Sequence, residues 1–245
     1  MVSGLSKKGL KAVKDPGLIK KGAVVIPSHG VSPAIIGEIA AKGVRIIDAT
    51  CPFVKKAQGA ARNLSRCGYT VIIVGDAGHP EVKAIVGSAE GPVLVVKDAA
   101  EAGLLKFKGG EAVSVISQTT QSSGNFKAVA RAIAAKKPAG LKAVNTICGD
   151  AEIRQDAAKR VAKSADAMLV IGGHDSANTR RLAEVCSRIS ERSYHIESEK
   201  ELKAEWMKGV AKVGITSGAS TPQWVIEKVV KKIKTKSNKK GRSRD

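Results

Sequence analysis

The chain has 245 residues, 43% of them hydrophobic and 26% charged, which is enough apolar side chain for one large domain or two to three small ones and excludes a disordered chain. Lys and Arg number 42 against 22 Asp and Glu, a net charge of +20, and on composition alone this points to an anionic partner: nucleic acid, anionic lipid or a phosphorylated small molecule. Aromatics at 3% argue against a base-stacking platform, four cysteines are too few for a disulfide scaffold, and no apolar run approaches the ~18–20 residues that span a bilayer. With no secretory pattern at the N-terminus, the chain is expected in the cytoplasm, where metal or cluster ligation is the more interesting use of its thiols.

In chain order, the first apolar run lies in KGAVVIPSHGVSP, which ends near Pro33 and reads as a strand followed by small polar residues and His29. From Gly43 the chain enters a repeat. GVRIIDATCPFVKKAQGAARNLSRCGYTVIIVGDAGHPE aligns with GLKAVNTICGDAEIRQDAAKRVAKSADAMLVIGGHDSAN, which begins at Gly140, an offset of 97. That offset sets Cys51 on Cys148, Gly75 on Gly172 and His79 on Ser176. Carried further, it sets Val113 on Val210 and Thr119 on Thr216. Each copy reads as strand, helix, strand, a further helical stretch and another strand. The strands are short unbroken apolar runs, Val71 to Val74, Val113 to Ile116 and Met168 to Ile171, which suit strands buried on both faces of a parallel sheet. Between them, Lys55 to Cys67 and Arg154 to Ser164 carry helical spacing of apolar residues. The pattern is βαβ, and the fold class is α/β.

The N-terminal run resembles the third-strand segments VSVISQTTQSS and KVGITSGASTP. The expected organisation is therefore residues 1–50 as the remnant of a first module, 51–145 as a second, 146–227 as a third, and 228–245 as a basic tail. A pseudo-threefold arrangement of such parallel-sheet modules, the first truncated, implies a further cysteine-bearing strand before Met1. The tail holds nine Lys or Arg and one acid and reads as a solvated helix end. Nonspecific phosphate-backbone binding by it ranks below the other readings, because no groove-reading motif accompanies it.

Ligands of such sheets gather beyond the carboxyl ends of the strands, and the unusual residues of this chain lie there. Cys51 and Cys148 hold repeat-equivalent places, which favours ligation over the ordinary small buried cysteine. Cys67 and Cys186 lie in helical stretches and read as packing residues. His29 and His79 sit in loops after strands, where either a ligand contact or a loop-stabilising hydrogen bond fits. Glu81 is an available proton donor if a closed site raises its pKa. Thr119, Thr120, Ser176, Asn178, Thr216 and Ser220 offer hydroxyl and amide groups suited to a diphosphate, with helix capping as the plain alternative for each. His174 and Asp175 read as solvent-facing, and His195 has no repeat counterpart and no assigned role.

SHGVSP, DATCP, GHPEV, SQTT, NTIC followed by RQ, GGHDSANTRRL and GITSGASTP occur in that order. Together they resemble the 4-hydroxy-3-methylbut-2-enyl diphosphate reductases, the LytB/IspH family of the non-mevalonate isoprenoid pathway, from about Gly22 to Val230. The resemblance implies a 4Fe–4S cluster held by one cysteine from each of three modules, with Cys51 and Cys148 as the ligands present in this chain. It implies diphosphate and substrate contacts from His29, His79, Thr119, Ser176, Asn178 and Ser220, and Glu81 as the acid. The implied reaction removes the allylic hydroxyl to give isopentenyl and dimethylallyl diphosphates, with reduced ferredoxin or flavodoxin as electron donor. Two departures stand out. The family's first cluster cysteine has no counterpart here, so a homologue that binds diphosphate without redox chemistry is the alternative. Where the family has Lys-Asn-Ser-Ser-Asn, this chain has His174, Asp175, Ser176, Ala177 and Asn178.

Overall fold

A computed structural model describes residues 6–241 of the chain; the ends of the expected N-terminal remnant and basic tail, residues 1–5 and 242–245, lie outside the described residues. Two compact units emerge, Met1–Thr119 with Gly124–Thr146, and Thr120–Ser123 with Ile147–Asp245.

In the first unit, β1 (Ala23–Ile26) pairs in parallel with β2 (Arg45–Asp48), Ala23 beside Arg45 and Ile26 beside Asp48. Helix α1 (Pro33–Ala40) connects them, started by Ser32, whose hydroxyl accepts the Ile35 N–H, and by Pro33 in the first turn. After α2 (Pro52–Arg66) comes a four-stranded parallel sheet ordered β4-β3-β5-β6, with β3 at Thr70–Val74, β4 at Val93–Val96, β5 at Ala112–Ser117 and β6 at Gly140–Ala143. Helices α3 (Pro80–Val86), α4 (Ala99–Leu104) and α5 (Ser123–Ala134) make the connections. All five residues of β3 are buried, as the unbroken apolar run requires of a central parallel strand. Val54, Ala57, Ala61 and Leu64 recur at helical spacing along α2, and the last three pack with Val71, Ile73, Val82, Ile85 and Ile116.

The second unit contains α6 (Gly149–Ser164), β7 (Ala167–Ile171), α7 (Ala177–Ser187), β8 (Ser193–Ile196), β9 (Val213–Ser217) and α8 (Gln223–Gly241), its parallel sheet ordered β8-β7-β9. Alternate residues of β7 feed opposite faces. Met168 and Val170 pack with Ala158, Ala162, Leu182 and Cys186, while Leu169 and Ile171 pack with Ile196, Leu202, Val225 and Val229. The α/β class and the parallel sheets are as the sequence implies.

Three details correct the sequence reading. The strand before each cysteine belongs to the preceding sheet: β2 pairs with β1 and β6 with β5, so the repeat phased from Gly43 and Gly140 begins one strand too early. The third strands equate at an offset of 100, because Thr70 faces Val113 where Ala167 faces Val213. The three extra residues enter between β7 and β8, the counterparts of β3 and β4: α7 is longer than α3 by four residues, 11 against 7, and the turn that follows it is shorter by one. Thr119 therefore corresponds to Ala219 and Thr120 to Ser220, and the pairing of Thr119 with Thr216 is set aside. Finally, α8 begins before residue 228, and Val225 and Val229 anchor it in the core, so the basic stretch starts inside a packed helix. Among the described residues no helix is long and apolar enough to cross a membrane.

Candidate functional site

Cys51 and Cys148 are the N-cap residues of α2 and α6, and neither side chain makes a capping hydrogen bond. The loop before Cys51 is fixed by Asp48, whose carboxylate accepts the Thr50 N–H at 2.9 Å and the Lys55 ammonium at 2.6 Å. Hydrogen bonds from Lys55 and Thr50 hold the Asp48 carboxyl down at about 2. Cys67 is exposed at the end of α2, and Cys186 is fully buried, its thiol pushed up to about 11 by desolvation. Cys186 agrees with a packing role, whereas Cys67 is exposed and lies outside the core.

Glu81, in the first turn of α3, is 4% exposed. Its two oxygens accept from Thr119, the backbone N–H at 2.6 Å and the hydroxyl at 3.0 Å. Thr119 is itself buried at the end of β5. Burial raises the Glu81 pKa above its ordinary range, opposed by the two Thr119 hydrogen bonds and by favourable electrostatics with His29. His79 caps α3: its Nδ1 accepts the Glu81 N–H at 3.1 Å, which places the ring proton of the neutral imidazole on Nε2. His29 Nδ1 donates to the Gly30 carbonyl at 2.9 Å, leaving Nε2 as acceptor when neutral and donor when protonated. The first unit thus brings His29, His79, Glu81 and Thr119 together.

The equivalent loops of the second unit carry Ser176, Asn178 and Ser220. Ser176 caps α7, accepting the Thr179 N–H at 3.4 Å. Asn178 stands at the repeat position of Glu81, and Ala219 at that of Thr119. The acid and its hydroxyl partner have become an amide and a methyl group. In consequence Asn178 Nδ2 is buried with no hydrogen-bond partner, as is Thr179 Oγ1. A donor in that condition suits an anionic oxygen. Ser220 is exposed just after β9.

Sequence reasoning left out several residues that shape these loops. Gln118 is 3% exposed and its Oε1 accepts the Asp76 N–H at 3.1 Å, fixing the turn before His79. Thr146, also buried, takes the Ser117 N–H and donates to the Ser117 carbonyl, binding the end of β5 to the strand that leads to Cys148. Their signal was position: each lies within a few residues of a strand end. His174 and His195 are not idle. His174 meets Glu197 and Glu201, and His195 meets the Gly172 carbonyl. Among the described residues, no group of three or more His, Cys, Asp or Glu is arranged to hold a metal ion.

A carboxyl group kept ready to take up a proton inside the protein, beside donors set at strand ends, is the equipment of an α/β enzyme rather than of a structural module. Comparison with known proteins narrows that class. A family profile described as LytB protein matches residues 1–234, and the chain belongs to that family. A relative from Geobacter sulfurreducens, 4-hydroxy-3-methylbut-2-enyl diphosphate reductase, is 48% identical over 240 residues, covering 98% of this chain and 84% of its own. A Geobacter metallireducens protein of the same name is 45% identical over 235 residues, covering 96% of this chain and 82% of its own. Among solved structures, (E)-4-hydroxy-3-methyl-but-2-enyl diphosphate reductase, the terminal enzyme of the non-mevalonate pathway, aligns with a TM-score of 0.63 at 37% identity, over 96% of this chain and 83% of that one. The E-1-hydroxy-2-methyl-but-2-enyl-4-diphosphate reductase from Plasmodium falciparum aligns with a TM-score of 0.87 at 25% identity, over 94% of this chain and 73% of that one.

Proposed function

We propose that this reductase acts on 4-hydroxy-3-methylbut-2-enyl diphosphate, replacing its allylic hydroxyl with hydrogen. Two electrons and two protons enter, the C–O bond breaks, water leaves, and isopentenyl and dimethylallyl diphosphates are the products. The observation that carries the reading is Glu81: a buried carboxyl of raised pKa, oriented by Thr119 and next to His79, in a chain of the LytB family.

Of the three thiols that the family resemblance calls for around a 4Fe–4S cluster, this chain offers two, at equivalent helix N-caps and each without a capping hydrogen bond. Cys51 and Cys148 would hold the cluster, and when bound it supplies the electrons and an iron with Lewis-acid character. The rest falls to this chain's side chains. Ser176, Asn178 and Ser220, with His29, His79 and Thr119, bind and orient the substrate and its diphosphate through hydroxyl, amide and imidazole groups. Asn178 Nδ2, unpartnered in the protein, is assigned to an anionic oxygen. Glu81 holds the proton that is passed to the substrate, and burial keeps that proton on the carboxyl at higher pH than in water. The three modules are read as pseudo-threefold equivalents, with reduced ferredoxin or flavodoxin as electron donor and the cytoplasm as compartment.

The test is anaerobic reconstitution of the full chain with iron and sulfide, followed by metal analysis, visible absorption and product analysis. Cluster absorption and conversion of the substrate are expected, and Cys51→Ser or Cys148→Ser should each remove the absorption. Iron retained unchanged in both variants would refute the ligand assignment. Diphosphate binding by a chain that takes up no iron would instead favour the homologue without redox chemistry.

A further inference from the structure

The loop from Gly172 to Asn178, assigned above to the diphosphate, is held differently from its counterpart in the first repeat. There, Gln118 from the end of β5 reaches the Asp76 N–H at 3.1 Å. At the offset of 100, the place of Gln118 is taken by Gly218, which has no side chain to reach with. A Cβ at Gly218 would stand 2.2 Å from Thr179 Oγ1, so no larger residue fits there. The work has moved to the neighbouring strand. His195, half-buried on β8, donates from Nε2 to the Gly172 carbonyl at 2.9 Å. Glu197, one residue past β8, accepts the His174 N–H at 2.7 Å. Glu201 takes His174 Nε2 at 3.0 Å and the Glu197 N–H at 3.1 Å. The His174 and His195 rings lie 4.4 Å apart, tilted by 56°. In the first repeat Val95 and Lys97 occupy the places of His195 and Glu197 and can make neither contact.

We infer that His195 and Glu197 are positioning residues: they clamp the Gly172–His174 backbone and so set Ser176 and Asn178 for the diphosphate. The inference rests on the functional reading above. It also gives the His174 ring a use: the ring donates to Glu201, which takes the Glu197 N–H as well, while the backbone N–H of residue 174 goes to Glu197. Neither His195 nor Glu197 touches the substrate. Their effect falls on binding and on how the loop is ordered before binding, because fixing a loop in advance removes an entropic cost of association.

The experiment measures inorganic diphosphate binding to the full chain by calorimetry, with substrate kinetics on reconstituted protein beside it. His195→Phe and Glu197→Ala should each weaken diphosphate binding about tenfold, the size expected for one lost hydrogen bond to a charged or ordering group. KM should rise by a similar factor and kcat should hold. Glu197→Gln and His195→Gln, which keep an acceptor and a donor, should bind within about twofold of the unaltered chain. Amide exchange at residues 172–176 should quicken in Glu197→Ala. If His195→Phe does not fold, the exposed Glu197 carries the test alone. Unchanged binding and exchange in Glu197→Ala, with binding weakened by Ser176→Ala, overturns the clamp and leaves the function standing. No diphosphate binding by the unaltered chain overturns the function and the clamp together.

Discussion

Glu81 is the one Asp, Glu, Lys or Arg side chain that is buried among the described residues, and its burial, more than its two hydrogen bonds, decides how it behaves. Desolvation raises its pKa from the ordinary 4.5, and Thr119 and His29 pull the other way without reversing it. The native protein therefore keeps this proton in a pH range where the unfolded chain has released it. Its contribution to stability is complete below about 4.5 and fades as pH rises through the folded value. Glu81→Gln removes that fading while keeping the shape, since the amide oxygen can accept the Thr119 N–H and the Thr119 hydroxyl can accept from the amide. The variant should accordingly gain stability relative to the unaltered protein between pH 5 and pH 8, as read by denaturant unfolding at both values. Turnover should drop by roughly two to four orders of magnitude, the loss expected when a general acid is removed. A variant that loses relative stability over that pH interval would show that ionised Glu81 is the favoured form.

The central strands, long helices and parallel class were legible because they depend on local pattern: β3 and β7 are apolar runs with nothing polar to interrupt them, and α2 repeats its apolar residues at helical spacing. Strand ownership was not, since β2 and β6 carry no mark of the strand they pair with. The third-strand register was misread because Val210 and Thr216 resemble Val113 and Thr119 closely enough to hide the longer α7. At the site, cysteines, hydroxyls and imidazoles stood out by type and position, whereas Gln118, Thr146 and His195 act on backbone groups that only the folded chain brings within reach. Gly172, which the repeat did find, has a reason the sequence does not show. Its φ is +148°, and a Cβ there would lie 2.7 Å from both Thr179 Oγ1 and Thr221 Oγ1. Its N–H and carbonyl also tie the end of β7 to Ile196 and His195. Backbone strain and overpacking each cost about 1–3 kcal/mol, so Gly172→Ala should destabilise the protein by about 2–4 kcal/mol in denaturant unfolding. Gly9→Ala, with φ of +88° and nothing within 4 Å, isolates the backbone cost and should stay near the lower figure of about 1 kcal/mol. Equal effects at the two positions would mean that Thr179 and Thr221 yield freely.

The charge of the molecule is concentrated toward both ends of the chain. Lys7, Lys8, Lys11, Lys14, Lys20 and Lys21 are exposed near the start, and nine of the last 18 residues are Lys or Arg. A net charge of +20 is a property of association and not of fold: it attracts a negatively charged protein over a distance that salt shortens, the Debye length being about 8 Å at physiological ionic strength. If the electrons come from a small acidic carrier, encounter with that carrier is steered by this field. The second-order rate of electron delivery from a reduced acidic ferredoxin should then fall by roughly tenfold or more between about 20 and 200 mM salt. Delivery from a small uncharged reductant should hardly change, which separates steering from any effect of salt on the site itself. Replacing Lys7, Lys8, Lys11 and Lys14 by Gln, all exposed and none in the candidate site, should flatten the salt dependence and slow the low-salt rate while leaving the rate with the uncharged reductant intact. Stopped-flow reduction across the salt series measures both. A rate indifferent to salt in the unaltered chain would mean that its positive charge serves some other anion.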